Sequence, residues 1–159
     1  MTASVSQESA PIIVVGAGPV GLFQALSLHL RGIDCVVIDK RYTSISDTRS
    51  LGIHPPCLDM LDELGLLNQF LKKGIRVDKG IAHNGRKKLG EINFSSTQQS
   101  EHKHPYILIH PQNETERLLK NAFSEFSPYS IRYGFEVTDF QDNGDHLVVY
   151  SHEVSQSPD

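Results

Sequence analysis

The chain has 159 residues, 38% hydrophobic and 21% charged, with a formal net charge of −4 at pH 7. This length suits one domain with a sizeable core, and the acidic balance excludes a broad basic face for nucleic acid. No apolar run approaches the length of a membrane span, and residues 1–10 read as a flexible polar tail without the features of a signal peptide.

The first predicted elements are a strand, a helix and a second strand. Ile12–Val15 is an unbroken β-branched run, typical of a strand buried on both faces. Apolar residues then recur at helical spacing, with Pro19 in the first turn and Gly32 at the end. The second strand, 34–38, stops at Asp39.

Three glycines connect the first strand to the helix in the pattern Gly16-x-Gly18-x-x-Gly21. Gly16 allows a tight turn, Gly18 leaves room for a phosphate, and Gly21 lets the helix pack close to the strand. The helix N-terminus then faces the phosphates with free N–H groups. Asp39, about 20 positions further on, suits the hydroxyls of an adenosine ribose. The sequence therefore predicts a dinucleotide-binding βαβ unit.

The middle of the chain predicts a polar loop, two short helices and a hairpin. The loop covers Lys40–Ser50, and the helices begin near His54 and at Leu66. Strands at Val77–Ala82 and Lys88–Phe94 flank an Asn-Gly turn.

The later elements are a strand, a long helix and three further strands. They are predicted at Tyr106–Ile109, Pro111–Phe126, Ser130–Tyr133, Glu136–Gln141 and His146–Tyr150. The last two strands are joined by a turn sequence, and residues 151–159 form a polar tail.

Five segments in this order resemble the N-terminal part of the FAD-dependent aromatic hydroxylases, the family that contains para-hydroxybenzoate hydroxylase and the phenol-type hydroxylases. They are Gly-Ala-Gly-Pro-Val-Gly-Leu, Asp-Lys-Arg at residue 39, Arg-Ser-Leu-Gly-Ile-His-Pro at residue 49, the helix Leu58–Leu66, and Pro-Gln-Asn-Glu-Thr-Glu-Arg-Leu-Leu at residue 111. The resemblance runs from about Pro11 to Tyr150, and the segments at residues 49 and 111 make it more specific than the glycine motif alone.

The resemblance implies an α/β fold: a Rossmann-like FAD-binding βαβ domain with a C-terminal β-meander from residue 130 onward. An inserted hairpin from the substrate-side sheet lies within about 75–110, and the domain as a whole covers 11–150. FAD is the implied cofactor, NADPH the reductant of the intact enzyme, and a small aromatic compound the substrate. The implied cofactor-binding residues are Gly16, Gly18, Pro19, Val20, Gly21, Asp39, Lys40, Arg41, Arg49 and Gln112. Among these, Arg41 is expected beside the adenine, Arg49 at the phosphates and Gln112 near the flavin.

The chain also departs from this family, whose members continue for hundreds of residues with two further cofactor motifs and most of the substrate pocket. Neither motif occurs here, and no catalytic residue is assigned. One alternative is therefore a non-catalytic fragment that needs a separate C-terminal half. Another is an NAD-dependent oxidoreductase domain, since the glycine motif and Asp39 suit NAD equally well.

The remaining candidate residues favour structural roles. His102, His104 and His110 lack the cysteine or carboxylate spacing of a metal site, so no metal is expected. Cys35 and Cys57 stand outside any CxxC motif, which predicts reduced, partly buried thiols in a cytoplasmic protein.

Overall fold

The computed structural model describes residues 9–42, 50–94, 101–126 and 131–155. Its elements are, in chain order, β1 (Ile12–Val15), α1 (Pro19–His29), β2 (Cys35–Asp39), β3 (Ser50–Ile53), α2 (Pro55–Glu63), α3 (Leu67–Leu71), β4 (Ile75–Val77), β5 (Lys79–Asn84), β6 (Lys87–Asn93), β7 (Ile107–Pro111), α4 (Gln112–Phe126), β8 (Ile131–Tyr133), β9 (Phe135–Asp142) and β10 (Leu147–Glu153). They form two compact units, one of residues 1–44 and 119–159 and the other of residues 45–118.

The first unit contains a parallel sheet in the order β1-β2-β8. Helix α1 connects β1 to β2 and buries one apolar face, made of Leu22, Ala25 and Leu26. The chain leaves this helix through Gly32, whose φ of +72° lies in the left-handed region that glycine adopts at helix ends. Val37 in the central strand is fully buried. The strand, helix and strand therefore lie where the sequence pattern predicts them, but β1 is not buried on both faces. Ile13 and Val15 on this strand are exposed, because β1 pairs with β2 alone among the described strands.

The C-terminal strands differ from the predicted meander. Ile131–Tyr133 pairs in parallel with β2 and extends the first sheet, while β9 and β10 pair with each other as an antiparallel hairpin. The meander is thus reduced to a two-stranded hairpin. The physical reason is that the strand after α4 returns to β2, a central strand whose Val37 is fully buried, which solvent-exposed pairing with β9 could not match.

The second unit contains an antiparallel sheet in the order β3-β7-β4, together with α2, α3 and the separate hairpin β5-β6. The first residues of α4 also belong to it. Its buried side chains include Leu58 and Leu61 of α2, Phe70 of α3 and Leu108 of β7. The hairpin turns at Gly85, whose φ of +57° is the conformation that the Asn-Gly sequence predicts.

Two features of this unit were not predicted from the sequence. The strand β3 pairs with β7, although its residues are too few to show a periodic pattern. The predicted strand Val77–Ala82 is instead two strands, because β4 pairs with β7 while β5 pairs with β6. Both differences result from pairing with distant residues, which a local pattern does not encode.

A histidine lies in the core of the second unit. The ring of His110 is fully buried, with its centroid 5.0 Å from that of Phe70. Nδ1 lies 2.8 Å from the hydroxyl of Thr115, which itself donates to the Pro111 carbonyl. The hydrogen on Nδ1 is therefore assigned as a donor to Thr115, and Nε2 has no hydrogen-bond partner among the described residues. Burial lowers the pKa of His110, so the neutral ring is favoured.

This burial predicts a loss of stability in mild acid that depends on His110. The unfolded chain binds a proton near pH 6.5, whereas the folded chain binds it only at lower pH, so the free energy of unfolding falls as the pH drops below about 6.5. Urea unfolding at pH 7.5 and 5.5 should show this loss in the wild type and a smaller loss in His110→Gln. The exposed His83→Gln is the matched control, and an equal pH slope in all three proteins would contradict the prediction.

Candidate cofactor site

The glycine turn after β1 has a geometry that only glycine satisfies at two positions. Gly16 has a φ of +101°, and its amide donates to the Ile38 carbonyl at 2.7 Å, which fixes the turn to the end of β2. A Cβ atom added to Gly21 would overlap the carbonyl oxygen of Gly16. The absence of a side chain at Gly21 therefore lets α1 pack directly against the turn, as the sequence pattern predicts.

Gly18 is the N-cap of α1 and faces open space. A Cβ atom added there would meet no heavy atom of the described residues within 4 Å. Because the N-cap is glycine, the first-turn amides receive no side-chain acceptor, and Pro19 contributes no amide hydrogen. Val20 beside them is 84% exposed. Among the described residues, the helix end thus presents free N–H groups to an open surface, which is the geometry that binds a phosphate.

Asp39, at the end of β2, connects the two strand ends of this site. Its side chain is buried, and Oδ2 accepts a hydrogen bond of 2.6 Å from the amide of Ala17 in the glycine turn. Oδ1 accepts a bond of 2.8 Å from the amide of Arg41. The carboxylate therefore holds the glycine turn against the end of β2. The sequence did not indicate this role for Ala17, because any residue at that position supplies the same amide.

The side chain of Arg41 also binds this carboxylate. Its Nε lies 3.0 Å from Oδ1 and its Nη2 lies 2.9 Å from Oδ2, the two-point geometry that a guanidinium makes with a carboxylate. Burial by itself would raise the pKa of Asp39, but the hydrogen bonds from Arg41 and Ala17 and the charge of Arg41 outweigh it, and the pKa is lowered. Asp39 is thus held as an anion.

The residues that follow β2 make a second set of contacts within the first unit. Lys40 forms an exposed ion pair with Glu136 at 3.0 Å. Gly134, with a φ of +78°, has no room for a side chain beside the ring of Tyr42, and its amide donates to the Arg41 carbonyl at 3.2 Å. The Tyr42 hydroxyl donates to the Val154 carbonyl. Sequence reasoning missed these partners, since each lies far along the chain.

Two predicted site residues belong to the second unit or lie outside the described residues. Gln112 begins α4 in the second unit, where its amide donates to Glu116 at 2.9 Å. Arg49 lies outside the described residues. The other predicted residues all belong to the first unit, in the turn after β1 and at the end of β2.

The remaining candidates have local partners. His102 lies 2.8 Å from Asp59, and His104 lies 3.2 Å from Asp62. Across the part of the chain that the structure describes, no three His, Cys, Asp or Glu side chains are grouped as metal ligands. Both cysteines are free thiols, Cys35 buried and Cys57 more exposed than predicted. None of the described helices is long and apolar enough to span a membrane.

A comparison with protein families shows which family this chain belongs to. The family described as FAD binding domain matches residues 9–157, nearly the whole chain. The chain belongs to the FAD-binding domain family. FAD is therefore the cofactor of this domain, and the predicted resemblance to aromatic-compound monooxygenases is confirmed.

Curated proteins that resemble this chain include several monooxygenases. Rifampicin monooxygenase from Rhodococcus hoagii is 32% identical over 86% of this chain and 27% of its own length. Pentachlorophenol 4-monooxygenase from Sphingobium chlorophenolicum is 28% identical over 80% of this chain and 23% of its own. The FAD-binding domain therefore spans about a quarter of the length of the curated relatives that it matches.

The α/β fold also matches solved structures of such enzymes. The crystal structure of p-nitrophenol 4-monooxygenase from Pseudomonas putida DLL-E4 has a TM-score of 0.80, over 89% of this chain and 36% of that protein. Its sequence is 24% identical, so this match shows the fold alone.

Proposed function

We propose that this chain is the FAD-binding portion of a flavin-dependent monooxygenase that hydroxylates a small aromatic substrate with NAD(P)H and O2. The observation that carries the proposal is the glycine turn after β1, fixed by Asp39 beside the open N-terminus of α1. Together these groups offer free amides to a pyrophosphate and a carboxylate near a ribose. NADPH is the proposed reductant.

The residues of the first unit fit FAD on two grounds. In the part of the chain that the structure describes, the surface over Gly18 is open where a phosphate would approach, and Asp39 is held as an anion by its hydrogen bonds. Gly16, Gly18, Pro19, Val20 and Gly21 would hold the pyrophosphate. The bound flavin would supply the redox chemistry by which NAD(P)H and O2 hydroxylate a ring. The chain itself would bind and orient the cofactor.

The same proposal assigns roles to individual elements and residues of the chain. The unit β1-α1-β2 is a Rossmann-like βαβ unit, and the hairpin β5-β6 is an insertion from the substrate-side sheet. Lys40, Arg41 and Arg49 are proposed to contact the adenosine diphosphate half of FAD, and Gln112 is proposed for the flavin. A cytoplasmic location is supported by the two free thiols.

A second candidate is a fragment that needs a separate C-terminal half to act. It is supported by β1, which among the described strands pairs only with β2. The side chain of Val15 on this strand is 63% exposed, unusual for a parallel strand. A partner that pairs with β1 would bury both its backbone and this side chain. In that case the chain alone would fold but bind FAD weakly.

Replacement of Gly18 tests the proposed function. Gly18→Ala is expected to weaken FAD binding by about fivefold to 150-fold, because its methyl group projects toward the phosphate position and costs about 1–3 kcal/mol of overpacking. The unfolding free energy should change by less than about 1 kcal/mol, since the methyl group meets no protein atom. Flavin fluorescence gives the dissociation constant, with NAD as competitor.

Gly90→Ala is the matched control for this test. Gly90 also faces open space among the described residues, but it lies on β6, away from the glycine turn in sequence. It should leave FAD affinity unchanged. Equal FAD affinity in Gly18→Ala and the wild type would contradict the phosphate position. Displacement of FAD by NAD would favour the hypothesis of an NAD-dependent oxidoreductase domain. A folded chain that does not bind FAD would favour the hypothesis of a fragment that needs a separate C-terminal half.

A further inference from the structure

The carboxylate of Asp39 has no acceptor position left for a ligand. Two carboxylate oxygens offer about four lone-pair positions in total. Oδ2 accepts from the Ala17 amide and from Nη2 of Arg41, and Oδ1 accepts from the Arg41 amide and from Nε of Arg41. Four donors thus fill four positions. The ribose hydroxyls of the proposed cofactor would also have to donate to these same oxygens.

The two kinds of donor differ in how easily they can leave. The amides of Ala17 and Arg41 are fixed by backbone structure, because the glycine turn is bonded to Ile38 and the Arg41 carbonyl to Gly134. The guanidinium of Arg41 is attached through rotatable bonds, and its side chain is 29% exposed. A rotamer change removes both side-chain bonds at once and leaves the backbone in place. The freed positions are two, the number that a ribose diol can fill.

We propose that the Arg41 side chain is an internal substitute for the ribose hydroxyls, which it must release from Asp39 before a nucleotide cofactor binds. This inference rests on the proposed function and adds a residue that sets the affinity for the adenosine half. While the site is empty, Arg41 keeps the buried carboxylate paired. When the diol arrives, it exchanges with the guanidinium instead of binding to a free anion.

This exchange reduces what the diol contributes to affinity. A hydrogen bond to a charged group is worth more than a neutral one, but here each new bond replaces an existing one. The net gain from the ribose hydroxyls is therefore small in the wild type. Removal of the guanidinium should make that gain large, whatever else Arg41 contacts when FAD is bound.

The test compares ADP with 2′,3′-dideoxy-ADP, both measured by calorimetry on the whole chain. The ratio of their dissociation constants reports the contribution of the diol, and contacts of Arg41 to the base or phosphates cancel in it. Arg41→Met, of similar length and without a donor, should raise this ratio about tenfold over the wild type, the value of one charged hydrogen bond. Arg41→Lys, which cannot bind both oxygens, should give an intermediate ratio.

Arg31→Met is the matched control, since Arg31 donates to the Ser27 carbonyl at the end of α1 instead. Its ratio should equal that of the wild type. If the wild type binds ADP and FAD but neither Arg41 variant raises the ratio, the inference is wrong while the proposed function stands. If neither the wild type nor any folded variant binds ADP or FAD, the proposed function is wrong and the inference falls with it.

Discussion

Gly21→Ala is expected to destabilise the first unit by about 2–3 kcal/mol and to weaken FAD binding with it. The added methyl group would overlap the carbonyl oxygen of Gly16, which is backbone and cannot rotate away. Either α1 must move off the turn or the turn must distort, and overpacking of this kind costs about 1–3 kcal/mol or more. Urea unfolding followed by circular dichroism measures the change.

Gly18→Ala is the matched control for Gly21→Ala, since it adds the same methyl group three positions earlier. Among the described residues, an added methyl group at Gly18 meets no atom, whereas at Gly21 it meets the backbone of Gly16. The two variants should therefore separate the effect on stability from the effect on FAD affinity. We expect Gly18→Ala to lower FAD affinity without lowering stability. We expect Gly21→Ala to lower both stability and FAD affinity. A Gly21→Ala protein as stable as the wild type would show that α1 does not pack on the turn as described.

Asp39→Ala is expected to have the second large effect, a loss of about 3 kcal/mol in unfolding free energy at pH 7. The substitution leaves the Ala17 amide without its acceptor and the Arg41 guanidinium without its partner. Removal of one member of a buried ion pair typically costs about 3–5 kcal/mol, and the partial exposure of Arg41 places this case at the lower end. FAD affinity should also fall, because the glycine turn loses the acceptor that holds the Ala17 amide.

The stability effect of Asp39 should also depend on pH. The folded-state pKa is lowered, so the contribution of the carboxylate is complete above its unfolded pKa of about 3.9 and is lost as the pH falls through the folded value. The difference in unfolding free energy between wild type and Asp39→Ala should therefore narrow below about pH 4. Asp34→Ala, at an exposed position, is the control. A difference that stays constant down to pH 2 would contradict this role.

Much of the first unit could be predicted because its signals are local. Ile12–Val15, the glycine turn and Asp39 lie within one strand, helix and strand, and each residue type matches a backbone requirement there. The third strand of that sheet was predicted at Ser130–Tyr133, but its pairing with β2 could not be predicted in this way. β8 is only three residues long, and its neighbour β2 is distant in sequence, so that neither period nor composition shows the pairing.

The candidate site shows the same division between local and long-range information. The position of Asp39 after the second strand is visible in the sequence, but its complete set of donors is not. That set depends on the side-chain conformation of Arg41 and on the path of the backbone through Ala17. Likewise the pairing of Lys40 with Glu136 joins residues 96 positions apart. Sequence patterns predict which groups face a site, whereas three-dimensional packing decides which of them already have partners.

The discontinuous make-up of the first unit has a consequence for biosynthesis. Its sheet takes β1 and β2 from the beginning of the chain and β8 from beyond α4, and Val37 lies between them. During translation, the first two strands leave the ribosome long before their third neighbour exists. The second unit, which is continuous in sequence, can fold in the meantime. Until β8 has been synthesised, one edge of β2 therefore remains unpaired in the nascent chain. During that time chaperones can bind this edge, or another strand can pair with it prematurely.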